Sequence, residues 1–142
     1  MSILIANGVN LSHIGSREIN IYGSTSFVDF LSQLRQDNPD IDIQYFQTDE
    51  EGKLAETIAN AKGYDGIILN AGAYTHTSII LADAVKTTSC KVIEVHISNL
   101  YGRENYRRNS LLAGCCDGFI SGFGLDSYRL AIDAIKIKCK IH

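Results

Sequence analysis

The sequence predicts a three-layer α/β/α domain on a five-stranded parallel sheet, and three observations carry that expectation. Short apolar runs at 3–6, 41–46, 66–69, 92–97 and 119–121 alternate with segments of helical periodicity, the pattern of β-α units. The runs are apolar enough to be covered by helices on both faces. Unusual polar residues collect just past three of them, where open α/β sheets place their ligands.

The first run leads into a loop over 11–23, far longer than the ~2–6 residues usual for such a connection. Phe27, Phe30, Leu31 and Leu34 then mark a helix that starts near Ser24 or Thr25 and ends at Asn38-Pro39. After the second run, Thr48-Asp49-Glu50-Glu51 has capping-box spacing, and Leu54, Ile58 and Ala61 continue one helical face. The third run is followed by a helix from near Thr77 or Ser78, and the fifth by one from near Asp126. The closing stretch 136–142 alternates Lys with apolar residues and reads as a solvated end that frays from the last helix. With neither repeat nor linker, one domain over 1–142 is expected, with strand order 2-1-3-4-5.

A chain of 142 residues buries a real core without staples. The four cysteines, Cys90, Cys115, Cys116 and Cys139, lack C-x-x-C spacing and read as reduced, mostly buried small hydrophobes. Met1 runs straight into Ile3-Leu4-Ile5 with no basic segment before an apolar one, and no apolar run approaches the ~20 residues that span a bilayer, so the cytosol is the expected compartment. A formal charge of -3 argues against nucleic acid or an anionic membrane as partner. An anionic ligand must therefore be met by a local group of arginines.

The polar residues past the runs are Asn7-Gly8-Val9-Asn10, then Asn70 with Tyr74-Thr75-His76-Thr77-Ser78, then His96-Ile97-Ser98-Asn99. Any one Asn or Gly here is ordinary turn chemistry, and a single His is usually just hydrogen-bonded; their joint occurrence at three strand ends points to a site. Glu94 and His96, two apart on a strand, share a face while Val95 and Ile97 point the other way. A carboxylate beside an imidazole orients it and favours its protonated form, which suits a general acid, although a structural ion pair reads equally well. The 11–23 loop carries Arg17 and Tyr22, and closing as a lid would bring both over the site. A free phenol titrates near pH ~10, and a neighbouring guanidinium lowers that value, making Tyr22 a candidate base. Taken alone, a packed Tyr22 and a solvated Arg17 would be the simpler account. Arg103, Arg107 and Arg108 follow the fourth run; guanidinium forks suit carboxylates and hydroxyls, while such a cluster is more often a solvated face or subunit contact.

Taken in order, the blocks Asn7-Gly8-x-Asn10-Leu11, Arg17-Glu18-x-x-x-Tyr22-Gly23, Asn70-Ala71-Gly72-Ala73-Tyr74-Thr75-His76-Thr77-Ser78 and Glu94-Val95-His96-Ile97-Ser98-Asn99, then Arg103 and Arg107-Arg108, resemble the signature of type II 3-dehydroquinate dehydratases over nearly the whole chain. The resemblance implies a flavodoxin-like subunit that converts 3-dehydroquinate to 3-dehydroshikimate by anti elimination of water in the shikimate pathway, with no metal or organic cofactor. It further implies that Tyr22, activated by Arg17, is the base, that Asn10 holds a water against the enolate, and that His96, oriented by Glu94, protonates the departing hydroxyl. By the same likeness Asn70, His76 and Arg107 meet the ring hydroxyls, and Ser98 with the Ile97 backbone amide holds the carboxylate. Family members assemble trimers into dodecamers, and Asp83 matches a residue that reaches toward a neighbouring subunit's site. Val9 and Ile19 stand where the family usually has proline, which is expected to loosen the Asn10 turn and the lid. Position 102 is Gly where a small residue is common. Rival readings on the same fold fare worse: a flavin carrier needs a Ser/Thr/Gly-rich phosphate loop after the first strand, and a receiver domain needs aspartates where Asn7 and Asn70 stand. A binding module using the same pocket stays open, since fold does not decide function.

Overall fold

The computed structural model describes residues 1–9, 11 and 26–140. Its strands are β1 (Ser2–Asn7), β2 (Asp42–Gln47), β3 (Gly66–Asn70), β4 (Lys91–His96) and β5 (Gly118–Ser121). The described helices are α1 (Phe27–Asp37), α2 (Glu51–Ala59), α3 (Ile79–Thr87) and α4 (Asp126–Lys138). All strand pairs are parallel and the order is β2-β1-β3-β4-β5, the flavodoxin-like arrangement anticipated from the β-α alternation. The loop expected to act as a lid lies outside the described residues apart from Leu11.

Side chains alternate across the sheet and divide the core in two. Ile3, Ile5, Ile68, Ile93, Val95 and Ile97 face α1 and α4, where Phe27, Phe30, Leu34, Tyr128, Ile132 and Ile135 cover them. Leu4, Ala6, Ile67, Leu69 and Val92 face α2 and α3, where Leu54, Ile58, Leu81 and Val85 cover them. By this alternation Glu94 and His96 belong to the α2/α3 face, opposite Val95 and Ile97, as the two-residue spacing predicts.

Helix ends account for the local departures. The cap of α1 is Ser26 rather than Ser24 or Thr25: its backbone is extended and its hydroxyl accepts from Asp29 N–H at 3.2 Å, so the first apolar residue of the stripe is also the first helical residue. The predicted capping box at Thr48 does not form. Thr48 N–H still donates to Asn7 O at 3.1 Å beside β1, so the chain is not yet free to turn helical there. Its hydroxyl instead accepts from Glu50 N–H at 3.1 Å, and α2 starts from Glu50, whose carboxylate pairs with Lys53 at 2.9 Å. Ser78 caps α3 as anticipated, accepting from Leu81 N–H at 3.0 Å. Residues 136–138 do not fray; α4 holds through Lys138 because Ile135 is fully buried within its last turn. The four cysteines are free thiols, half-buried at the margins of the two cores rather than inside them.

Candidate functional site

The carboxyl ends of β1 and β3 lie side by side, with Asn7 opposite Asn70. Gly8 N–H donates to Asn70 O at 2.8 Å, and the turns that follow press backbone on backbone. A Cβ on Gly8 would meet Ala71 O at 2.6 Å, and one on Gly72, itself at φ +61, would meet Val9 O at 2.6 Å. Glycine is therefore required at both places. The turn at Val9 is closed by Leu11 N–H donating to Gly8 O at 3.4 Å, and Leu11 is seated in the α1/α4 core.

Beneath these turns runs a buried chain of polar groups. Asn70 Nδ2 donates to the Tyr128 hydroxyl at 3.0 Å, Tyr128 donates to Asn7 Oδ1 at 2.8 Å, and Asn7 Nδ2 donates to the Tyr45 hydroxyl at 3.4 Å. Tyr128 is 0% exposed, and burial pushes its phenol well above the usual value; Tyr45 is pushed up for the same reason. Asn70 Oδ1 also accepts from Gly72 N–H at 3.3 Å. A primary amide has two donors and two acceptor lone pairs, so these bonds leave Asn70 one of each among the described residues.

At the end of β4, Glu94 is 0% exposed and His96 is 5% exposed. His96 Nε2 donates to Glu94 Oε2 at 2.5 Å, which turns Nδ1 away from the carboxylate. The Ser110 hydroxyl lies 3.0 and 2.9 Å from the two Glu94 oxygens as donor, and accepts from Leu112 N–H at 3.1 Å and Ala113 N–H at 3.0 Å. His76 closes the short 3-10 turn Gly72–His76 after β3; its ring stacks against His96 with centroids 6.5 Å apart. Because a carbonyl only accepts, the 2.7 Å contact from His76 Nδ1 to Asn109 O places the proton on Nδ1. The structure thus brings Glu94, His96 and His76 together in one corner.

Beyond His96 the chain is tied to β5: Ser121 Oγ donates to Ser98 O at 3.0 Å and accepts from Leu100 N–H at 3.2 Å. Ile97 turns its side chain into the α1/α4 core, and Ser98 Oγ accepts from Arg103 at 3.4 Å. Arg107 sits in the 3-10 turn Asn105–Arg107 with its Nε donating to Glu104 at 2.9 Å. A bond from its own backbone amide, with Arg107 and Arg103 beside it, holds the Glu104 carboxyl below the usual range. Asp83 lies exposed on α3 beside exposed Ile79 and Ile80. Asn10, Arg17 and Tyr22 fall outside the described residues. Among the described residues no group of three or more His, Cys, Asp or Glu side chains is placed to hold a metal ion, and no helix is long and apolar enough to cross a membrane.

Two participants escaped the sequence reading. Tyr128 had a signal, since it stands in the buried stripe with Ala131, Ile132 and Ile135, and a phenol carried into a core must find a polar partner. Ser110 had none beyond a small hydroxyl before an apolar pair, because its partner Glu94 is 16 residues away.

The family profile described as Dehydroquinase class II matches residues 1–136. A 3-dehydroquinate dehydratase from Pelodictyon phaeoclathratiforme is 45% identical over 138 residues, spanning 95% of this chain and 91% of that protein. Another from an Exiguobacterium species is 46% identical over 136 residues, spanning 95% and 94%. The crystal structure of a type II dehydroquinase from Butyrivibrio crossotus superposes with a TM-score of 0.89 at 39% identity, covering 96% of this chain and 97% of that one. Likeness of sequence and of backbone over nearly the same full length leaves one assignment: the chain belongs to the class II dehydroquinase family.

Proposed function

We propose that this chain is a 3-dehydroquinate dehydratase of the shikimate pathway that eliminates water in the anti sense through an enolate. The observation that carries the reading is the buried Glu94–His96 pair at the end of β4, with His76 stacked beside it, in a member of this family. Removing the proton α to the ketone requires a base, a stabiliser for the enolate oxygen and an acid for the leaving hydroxyl. We assign these to Tyr22, activated by Arg17, to a water held by Asn10, and to His96, oriented by Glu94. The base takes the α proton, the electron pair moves into the enolate, and its return expels the hydroxyl as water with the proton from His96. Asn70, with one donor and one acceptor left over among the described residues, His76 and Arg107 fit the ring hydroxyls, while Ser98 and the Ile97 amide fit the carboxylate. Every group named is a side chain, a backbone amide or water, so the scheme calls for no metal or organic cofactor.

The same reading includes a single catalytic domain over 1–142, a cytoplasmic location and a dodecamer of four trimers in which Asp83 reaches a neighbour's site. The exposed face of Asp83, Ile79 and Ile80 on α3 fits that assembly.

Product formation creates an enone, so ultraviolet absorbance follows turnover directly. Wild type should consume 3-dehydroquinate, and Tyr22→Phe should lower kcat by on the order of 100-fold or more, the scale of general base catalysis. Equal rates in the two proteins would remove Tyr22 as the base, and absence of turnover in wild type would remove the enzymatic reading.

A further inference from the structure

Glu94 is a fully buried carboxylate whose hydrogen bonds come from just two side chains among the described residues, His96 and Ser110. No arginine or lysine forms an ion pair with it among those residues. A buried anion held by so few donors depends strongly on each of them. The Ser110 hydroxyl is itself fixed: it accepts Leu112 N–H and Ala113 N–H at the start of the 3-10 turn Ala113–Cys115, which leaves its proton directed at Glu94. Donation to both carboxylate oxygens constrains the rotation of the carboxyl plane, and Oε2 of that plane receives His96 Nε2.

The neighbours of Ser110 complete the arrangement. Asn109 O receives the His76 proton at 2.7 Å, and Leu111 N–H donates to Thr75 O at 2.9 Å. Three consecutive residues thus clip the β3 turn that carries His76 to the strand that carries Glu94 and His96.

We infer that Ser110 is a positioning residue for the elimination: its hydroxyl fixes the Glu94 carboxylate that aims His96, and the 109–111 clip keeps that ring in register with His76. This inference rests on the dehydratase reading above. Ser110 acts through Glu94 and takes no part in bond making.

The test compares wild type, Ser110→Ala and Ser110→Thr in kcat, KM, thermal unfolding and the proton NMR signal of the His96–Glu94 hydrogen bond. The proton between an imidazole and a carboxylate resonates downfield and reports the geometry of that pair, a signature that a merely structural role would leave unmoved. Ser110→Ala should lower kcat by about 10- to 100-fold, the scale of losing one hydrogen bond to a charged group, with KM changed by less than about threefold. It should also move or broaden the downfield proton. Ser110→Thr, which keeps the hydroxyl, should restore kcat to within about threefold of wild type, the scale of sub-kcal/mol differences. Wild-type kcat and an unmoved proton in folded Ser110→Ala would overturn the inference, as would a loss of activity explained entirely by the unfolded fraction. Absence of turnover in wild type itself would instead strike the dehydratase reading, so the two failures are distinguishable.

Discussion

Replacing Tyr128 by Phe removes one oxygen from the buried polar chain under the strand ends while leaving the ring among its neighbours. The aromatic packing survives, because Phe27 and Phe30 lie 5.1 and 6.0 Å from the Tyr128 ring by centroid. What is lost is the group that accepts from Asn70 Nδ2 and donates to Asn7 Oδ1. Asn7 is 0% exposed and Asn70 3% exposed, so water does not readily replace it. Each buried polar group left without a partner costs ~1–3 kcal/mol, and partial relaxation of the two amides puts the total near 2–4 kcal/mol. Urea unfolding reads this as a fall of about 1–2 M in midpoint at unchanged slope, taking a slope of about 2 kcal/mol/M. Because Asn70 also loses the bond that tethers its Nδ2, KM for 3-dehydroquinate should rise alongside. A midpoint shift below about 0.5 M would refute the reasoning, since it would mean the amides had found other partners or water at less than ~1 kcal/mol.

The same phenol sets a pH dependence. Burial raises the Tyr128 and Tyr45 values above those of the unfolded chain, so the unfolded state ionises first; their contribution is full below pH ~10 and is lost as pH rises past it, and Tyr128→Phe should show a shallower loss from about pH 10 upward in the same unfolding assay. Glu94→Gln keeps the shape of the buried side chain but removes the charge that supports His96, so kcat should fall by at least about 10-fold in the absorbance assay; an unchanged rate would show that orientation alone suffices. Gly8→Ala places a carbon 2.6 Å from a backbone oxygen that cannot move aside cheaply, so calorimetry should find it destabilised by about 1–3 kcal/mol; a neutral effect would contradict the tight pairing of the two turns.

The layers of the fold were legible because their causes are local and periodic. The pattern at Phe27, Phe30, Leu31 and Leu34 leaves one helical face apolar, and that face is the buried one. Glu94 and His96 were legible as a pair for the same reason, since the two-residue repeat of a strand needs no knowledge of the rest of the chain. Caps were read less well. At Thr48 the capping spacing was present, but a backbone bond to Asn7 from the neighbouring strand prevailed over it. The supporting groups of the site were hidden for a related reason: Tyr128 meets Asn7 across 121 positions, and Ser110 meets Glu94 across 16, so both contacts exist only once the topology is built. Arg107 was legible as a charge near the fourth strand, though its bond to Glu104 was not part of that reading.

Anti elimination needs a base and an acid that reach opposite faces of one ring, with His96 on the side of the departing hydroxyl. Two samples of 3-dehydroquinate, each deuterated at one of the two positions α to the ketone and next to the hydroxyl-bearing carbon, test this by mass spectrometry of the product. Label anti to the hydroxyl should be lost and label syn to it retained. The reverse pattern, or loss of label from both samples at the rate of product formation, would contradict the proposed arrangement.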